Sequence, residues 1–327
     1  MTKNAGRRQC RILDTVPRKG DSTVMVLRFC AISTMLLLAS PALAGPNDFR
    51  LNAPDASNPE QGILYSISDD NDPSTAKIVS VNSSRFVALV SELAYVFSPR
   101  SASPAETLGH SGFHVGVLWS GTSISADEPY WLVTEEGQRS RDPNSFLQTL
   151  QLDVRKGLPL SFEIGTNFLW LVESEMFAPG VEIRWALHEG YHLAPDLGIR
   201  GTVNHVVGNR DINMTIVGLD ATLSRSFGIG GVLNLAPYLS YAVLLTNVSS
   251  RVIDATGNDE TDVADLKFPS IRLGDNIQHK LTIGSRVLIS VFHISLQGEF
   301  EFLPKVNGGR EAFGSVATIA TKLGLNY

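Results

Sequence analysis

Seven histidines are the residues from which chemistry would first be built here: His110, His114, His188, His192, His205, His279 and His293. His188 and His192 stand four apart, which on a helix would offer two imidazoles to one metal. They straddle a strand end and a Gly190-Tyr191 turn instead, so no metal site is expected. His205, beside the link that carries Asp211, is the single nominee for a general base in a hydrolase. Asp69, Asp70 and Asp72 crowd together in SDDND, which resembles part of a calcium loop. That run lacks the glycine and the distal glutamate, and a solvated turn accounts for it. The stretch 247–278 carries Asp254, Asp259, Glu260, Asp262, Asp265 and Asp275. It offers carboxylates to divalent cations or a partner, with a solvated loop as the default. There is no glycine-rich phosphate loop, no HExxH and no nucleophile elbow, so no catalysis and no cofactor is expected.

A second set of charges is more informative for its spacing. Asp153, Arg155, Glu163, Glu182, Arg184, Arg200, Asp220, Arg286, Glu299, Glu301 and Lys322 fall in phase with polar neighbours and out of phase with apolar ones. Around Phe292 the series Phe292, Ile294, Leu296, Gly298, Phe300, Phe302 is almost wholly apolar, while His293, Ser295, Gln297, Glu299, Glu301 is polar. Side chains of a strand alternate between its faces, so each such stretch is a strand with one greasy side and one polar side. Both signs of charge share the polar side, as they would if they paired across a narrow interior. Two readings follow: a packed ionic network that fills a small barrel, or a narrow polar path whose charge order sets selectivity. Packing is favoured.

The elements that must position these charges begin near Gly112 and number about ten (8–12), all strands. Alternation is clear at Phe113–Trp119, Leu150–Val154, Leu160–Trp170, Val181–Leu187 and Leu197–Val203. The sixth strand changes parity, from Ile212, Met214 and Ile216 to Val217, Leu219 and Leu223, which predicts a β-bulge. The seventh and eighth run about Val232 to Leu245 and His279 to Ile289, and the ninth and tenth complete the chain. Links alternate in length: 120–144 is long, 156–159 short, 247–278 long, and the turn at Ser290-Val291 nearly absent.

Ahead of the strands, Phe86, Leu89, Val90, Leu93 and Phe97 recur at helical spacing, predicting a helix over 85–98 capped by Ser84 and stopped by Pro99. Residues 45–110 are expected to form a periplasmic or luminal segment. Residues 1–44 read as a cleaved secretory leader with an upstream extension: Arg28, an apolar run Phe29–Ser40, then Ala42-Leu43-Ala44. Both cysteines, Cys10 and Cys30, lie in it, so the expected mature chain holds no thiol and no disulfide framework. The chain has 27 basic and 33 acidic residues; 7 and 2 of them precede Gly45, leaving 20 against 31. That balance argues against nucleic acid as a partner, which a basic stripe would recognise.

Alternation also describes a soluble barrel with its apolar face inward. Outward-facing grease is favoured by the density of charge on the other face and by aromatics near strand ends: Phe113, Trp170, Phe177, Phe300, Phe302, Phe313 and Tyr327. The last strand, with Phe313, Ala317, Ile319, Thr321, Leu323 and Leu325 in phase and the aromatic Tyr327 at its end, resembles the C-terminal strand of bacterial outer-membrane β-barrel proteins. Those more often end in Phe. The resemblance spans roughly 112–327 as a pattern and points to no subfamily. It implies an antiparallel transmembrane β-barrel over 111–327 in the outer membrane, monomeric by default. Its partners would be outer-membrane lipid and, through the strand ending at Tyr327, the barrel-assembly machinery. The role implied is structural, binding or minor permeation without catalysis; the alternatives are a narrow channel or small-solute transporter, an outer-membrane hydrolase, or a soluble ligand-binding barrel.

Overall fold

The structure, a computed structural model, describes residues 44–68, 78–191, 194–253, 266–302 and 313–327; of 58–60, 68, 78–79 and 313–315 it describes the backbone alone. Residues 1–43, the Asp69–Asp72 cluster, His192 and most of the acidic run after Ile253 lie outside the described residues.

The first elements are small. Strand β1 (Pro54–Asp55) pairs with β2 (Asn58–Gly62), and β3 (Tyr65–Ser68) pairs with β4 (Ile78–Val81). Helix α1 (Ser83–Val96) follows, and its buried face carries Phe86, Leu89, Val90 and Leu93 as the spacing predicts. Its cap is Asn82 rather than Ser84: the Asn82 side chain accepts from Arg85 N at 3.1 Å, two residues earlier than expected. Among the described residues, no helix is long and apolar enough to cross a membrane.

From Phe113 the chain is a meander of ten long antiparallel strands closed into a barrel. They are β5 (Phe113–Ser123), β6 (Phe146–Leu158), β7 (Phe162–Leu171), β8 (Phe177–His188), β9 (Asp196–Val206) and β10 (Ile212–Ser224), then the three-residue β11 (Phe227–Ile229), then β12 (Leu233–Ser250), β13 (Ile277–Ile289), β14 (Phe292–Phe302) and β15 (Phe313–Asn326). Each pairs with the next, β10 with β12, and β15 closes on β5 through Leu325 opposite Val115 and Ala317 opposite Ser123. No edge is left unpaired, which is the condition for a sheet to sit in hydrocarbon. Short turns join β6–β7, β8–β9 and β13–β14 at the end where Phe113 and Tyr327 meet; the longer link 124–145, with helix α2 (Glu135–Ser140), lies at the other.

The direction of the faces is unambiguous. Ile183, Leu296 and Ile319 are 53%, 58% and 58% exposed, whereas the alternate residues Glu182, Gln297 and Lys322 are buried. Aromatics outline the outer wall at two levels. Phe162 stacks on Trp185 at 5.2 Å near the short turns, and Trp119–Phe146 and Phe168–Phe177 pair nearer the long links. The bulge predicted in the sixth strand is absent, since β10 pairs in unbroken register with both β9 and β12. Ile212, Met214 and Ile216 point inward like Thr222 and Ser224, and Leu219 and Leu223 point out. The parity of the apolar residues changes because the interior itself changes, from polar near the short turns to apolar near the long links.

That apolar upper layer is the main hydrophobic core. Leu147, Leu169, Leu171, Val206, Met214, Ile216 and Val248 from the wall meet Phe49, Leu51, Ile63, Leu64, Phe86, Leu89 and Phe97 from the N-terminal segment, with Trp131 and Phe268 from the links. Phe86 and Phe268 stack at 4.7 Å.

Candidate functional site

The interior is occupied by the chain's own residues between α1 and β5, here termed the strap. Its sequence around Pro99-Arg100-Ser101-Ala102-Ser103-Pro104-Ala105 is small and poor in backbone donors, since each proline lacks an N–H and fixes its φ. Contacts follow one another down the axis. Near the long links Gln278 donates to the Ser91 carbonyl at 2.7 Å, and Asn276 to the Ser91 hydroxyl at 2.8 Å. Deeper, Arg200 donates to the Pro99 carbonyl, Gln151 to that of Arg100, Lys322 to that of Ser101 and Arg184 to that of Pro104, at 2.7 to 3.2 Å. At the short-turn mouth Thr107 N and Oγ1 donate to Glu189, Leu108 N donates to Glu163 Oε1, and Gly157 N donates to the Gly112 carbonyl. The approach there is so close that a Cβ on Gly157 would stand 1.9 Å from the Gly109 carbonyl oxygen.

Around the strap the charges named from the sequence come together. Arg155 reaches Glu163 at 3.2 Å and Asp153 and Glu182 at 3.8 Å. Arg184 reaches Glu163 at 3.3 Å, while Arg200 bridges Glu182 at 3.1 Å and Asp220 at 2.7 Å. Lys322 sits 2.8 Å from Asp153. Arg286 pairs with the strap residue Glu106, and Glu299 lies on the far side against Arg100 and Lys280 at 3.0 and 3.5 Å. Glu301 is buried, and neither of its oxygens has a hydrogen-bond partner among the described residues.

Four members of this network lie outside the charged set read from the sequence: Arg100, Glu106, Lys280 and His114. Arg100 is the centre of the upper half. Its Nε donates to Glu299, Nη1 to the carbonyls of Val96 and Ser98, and Nη2 to the Tyr95 carbonyl and the hydroxyls of Thr122 and Thr318. It therefore satisfies carbonyls left over at the end of α1 while neutralising a wall carboxylate. An arginine between a helix stop and a proline-bounded run of small residues was the available signal. His114 lies 2.8 Å from Asp153 and from Asn326, with His293 ring-on-ring beside it at 5.0 Å.

The N-terminal residues 45–53 close the mouth that bears the long links. Asn47 N donates to the Glu173 carbonyl, Arg50 N to that of Val133, and Leu51 N to Asp211 Oδ2 at 2.7 Å. Ser174 and Glu175 N donate to Asp48. The Glu92 carboxylate of α1 accepts from Tyr130 Oη at 2.7 Å, Trp131 Nε1 at 2.9 Å and Ser125 N at 3.1 Å. Burial and that carboxylate push the Tyr130 phenol well above its ordinary range.

The nominated hydrolase pair does not assemble. His205 Nδ1 is 3.0 Å from Thr215 Oγ1 on the outer wall, whereas Asp211 is engaged with Leu51 N. Among the described residues no cluster of His, Cys, Asp and Glu could hold a metal ion.

No family model matches the chain, and no curated protein matches it. Among solved structures it is similar to the N-terminal β-barrel domain of Pseudomonas aeruginosa OprF (12% identity, 67% of this chain and 99% of that one, TM-score 0.26). It is likewise similar to the outer membrane protein Omp33 of Acinetobacter baumannii (10%, 68% and 100%, 0.25) and to the outer membrane protease OmpT of Escherichia coli (8%, 69% and 99%, 0.30). At these TM-scores the likenesses carry no argument about this chain. Its own geometry defines the class: a closed ten-stranded antiparallel barrel, apolar outside, with an ionic layer inside toward the short turns and an apolar one toward the long links. No subfamily is distinguished.

Proposed function

We propose that the protein is a monomeric outer-membrane barrel, sealed by its own N-terminal segment and serving a structural or binding role without catalysis. The observation that carries this reading is the run of α1 and the strap, which together are hydrogen-bonded to the wall from the long-link mouth to the short-turn mouth. A lumen filled in this way fits the packing reading of Asp153, Arg155, Glu163, Glu182, Arg184, Arg200, Asp220, Arg286, Glu299, Glu301 and Lys322 better than a selectivity path. The outward apolar face takes outer-membrane lipid as its partner. Tyr327, 92% exposed at the end of β15, is available to the assembly machinery. The secretory leader supplies the route of export.

The test is electrical. In planar bilayers the intact protein is expected to be silent, and a variant lacking 45–110 to give discrete conductance steps. Steady conductance of the intact protein that changes with Arg184→Ala or Arg286→Ala would instead establish the narrow-channel alternative. A heat-modifiable band on unboiled gels is expected of both; recovery as soluble material without detergent defeats the membrane reading altogether.

A further inference from the structure

The barrel's first strand and the N-terminal residues lie at opposite mouths. Phe113 starts β5 beside the C-terminus, with Phe113 N donating to the Tyr327 carbonyl at 2.7 Å and Tyr327 N donating to that of Phe113 at 2.8 Å. Residues 45–53 are bonded to Val133, Glu173, Asn209 and Asp211 at the other end. The wall between is hydrogen-bonded all the way round, so the chain has no lateral gap through which to pass. It runs along the axis.

The chemistry of the wall suits that passage. Arg200, Gln151, Lys322 and Arg184 donate to strap carbonyls. Arg155 and Arg286 hold the side chains of Ser103 and Glu106, so the polar wall grips this segment by main chain and side chain together. The material beyond the strap is of a different kind. Phe49, Leu51, Ile63, Leu64 and Phe86 pack with Trp131 and Phe268 only once they have reached the long-link mouth, because both partners belong to links there.

From the opposed ends, the closed wall and the polar lining bonded to the strap along the axis, we infer that the barrel is the conduit for its own N-terminal segment. The stretches 45–68 and 78–97 travel through the lumen, extended, from the short-turn mouth to the long-link mouth. They fold there into a cap that cannot return, and the strap behind them seals the passage. The inference rests on the membrane reading above, because a soluble barrel separates no two sides.

The expected mature chain has no cysteine, so single substitutions report position cleanly. Ser57→Cys probes the cap, Arg139→Cys the long link and Tyr191→Cys a short turn; all three sites are exposed. With a membrane-impermeant maleimide on intact and on lysed cells, Ser57→Cys is expected to label together with Arg139→Cys and apart from Tyr191→Cys. Labelling of Ser57→Cys together with Tyr191→Cys overturns the inference while leaving a membrane barrel in place. Recovery of all three proteins in the soluble fraction sinks the membrane reading instead. Passage itself is tested by fusing a small disulfide-bonded domain ahead of Gly45. The oxidised domain is expected to block assembly, with the heat-modifiable band lost and restored when the domain's cysteines are replaced by serine. Normal assembly with the oxidised domain displayed on the Arg139 side would refute threading through the lumen.

Discussion

Arg100 is 1% exposed and joins the end of α1, the strap and the wall strands β5, β14 and β15 through one guanidinium. Truncation would leave the buried Glu299 carboxylate to Lys280 and Gln297 and take a donor from the carbonyls at the end of α1. Breaking a buried pair from one side costs about 3–5 kcal/mol, and Arg100→Ala is expected to lower the barrel's stability by that order in urea titrations followed on unboiled gels. Arg100→Lys should rescue little, because an ammonium cannot reproduce the fork. At the cap, Tyr130 donates to Glu92 and its phenol is held above its ordinary value. The sign is that of a raised folded-state value: the contribution is whole below about pH 10, the free phenol value, and is lost as pH climbs towards the folded one. In ultraviolet titration compared with Tyr130→Phe, the Tyr130 phenol is expected to resist ionisation above about pH 10, and Glu92→Gln to remove only part of that resistance because burial remains.

For the strands, alternation carried the reading a long way. It gave the closed sheet and its number of strands, because a period of two leaves each residue only one of two faces. It failed at β10, where Ile212, Met214 and Ile216 looked like an outward face and a bulge was invoked to explain them. The rule that inward means polar holds only where the filling is polar, and the filling of the upper barrel was not readable from the wall. The strap was opaque for the same reason: a run such as SPRSASPAE has no period, and its partners lie up to 221 residues away. A charge on the outer face tests the assignment directly. On the membrane reading, Ile183→Arg, at an outward position in mid-strand, is expected to cost about 2–4 kcal/mol in detergent unfolding, whereas Thr202→Ser on the inner face should cost far less.

In the whole molecule, most interior cations face carboxylates within the wall. Arg155, Arg184, Arg200 and Lys322 are each buried against at least one buried acid. Salt screens exposed charges over about 10 Å at 0.1 M but reaches buried pairs poorly. The unfolding temperature on unboiled gels should therefore change little between 0.1 M and 1 M sodium chloride. A steep fall would show that the network is wetted.

The wall is also uneven in height. β12 runs for 18 residues and β7 for 10, lengths of roughly 60 and 33 Å at about 3.3 Å per residue. Even allowing for tilt, the longer strand exceeds an apolar band of about 25 Å. Its outward residues turn polar above Leu245, at Asn247 and Ser249, facing Thr215 and Asn213 of β10. On the β10–β12 flank, then, the paired wall continues past the end of its own apolar band, and the two strands close the barrel there with polar side chains outward on both sides of the seam.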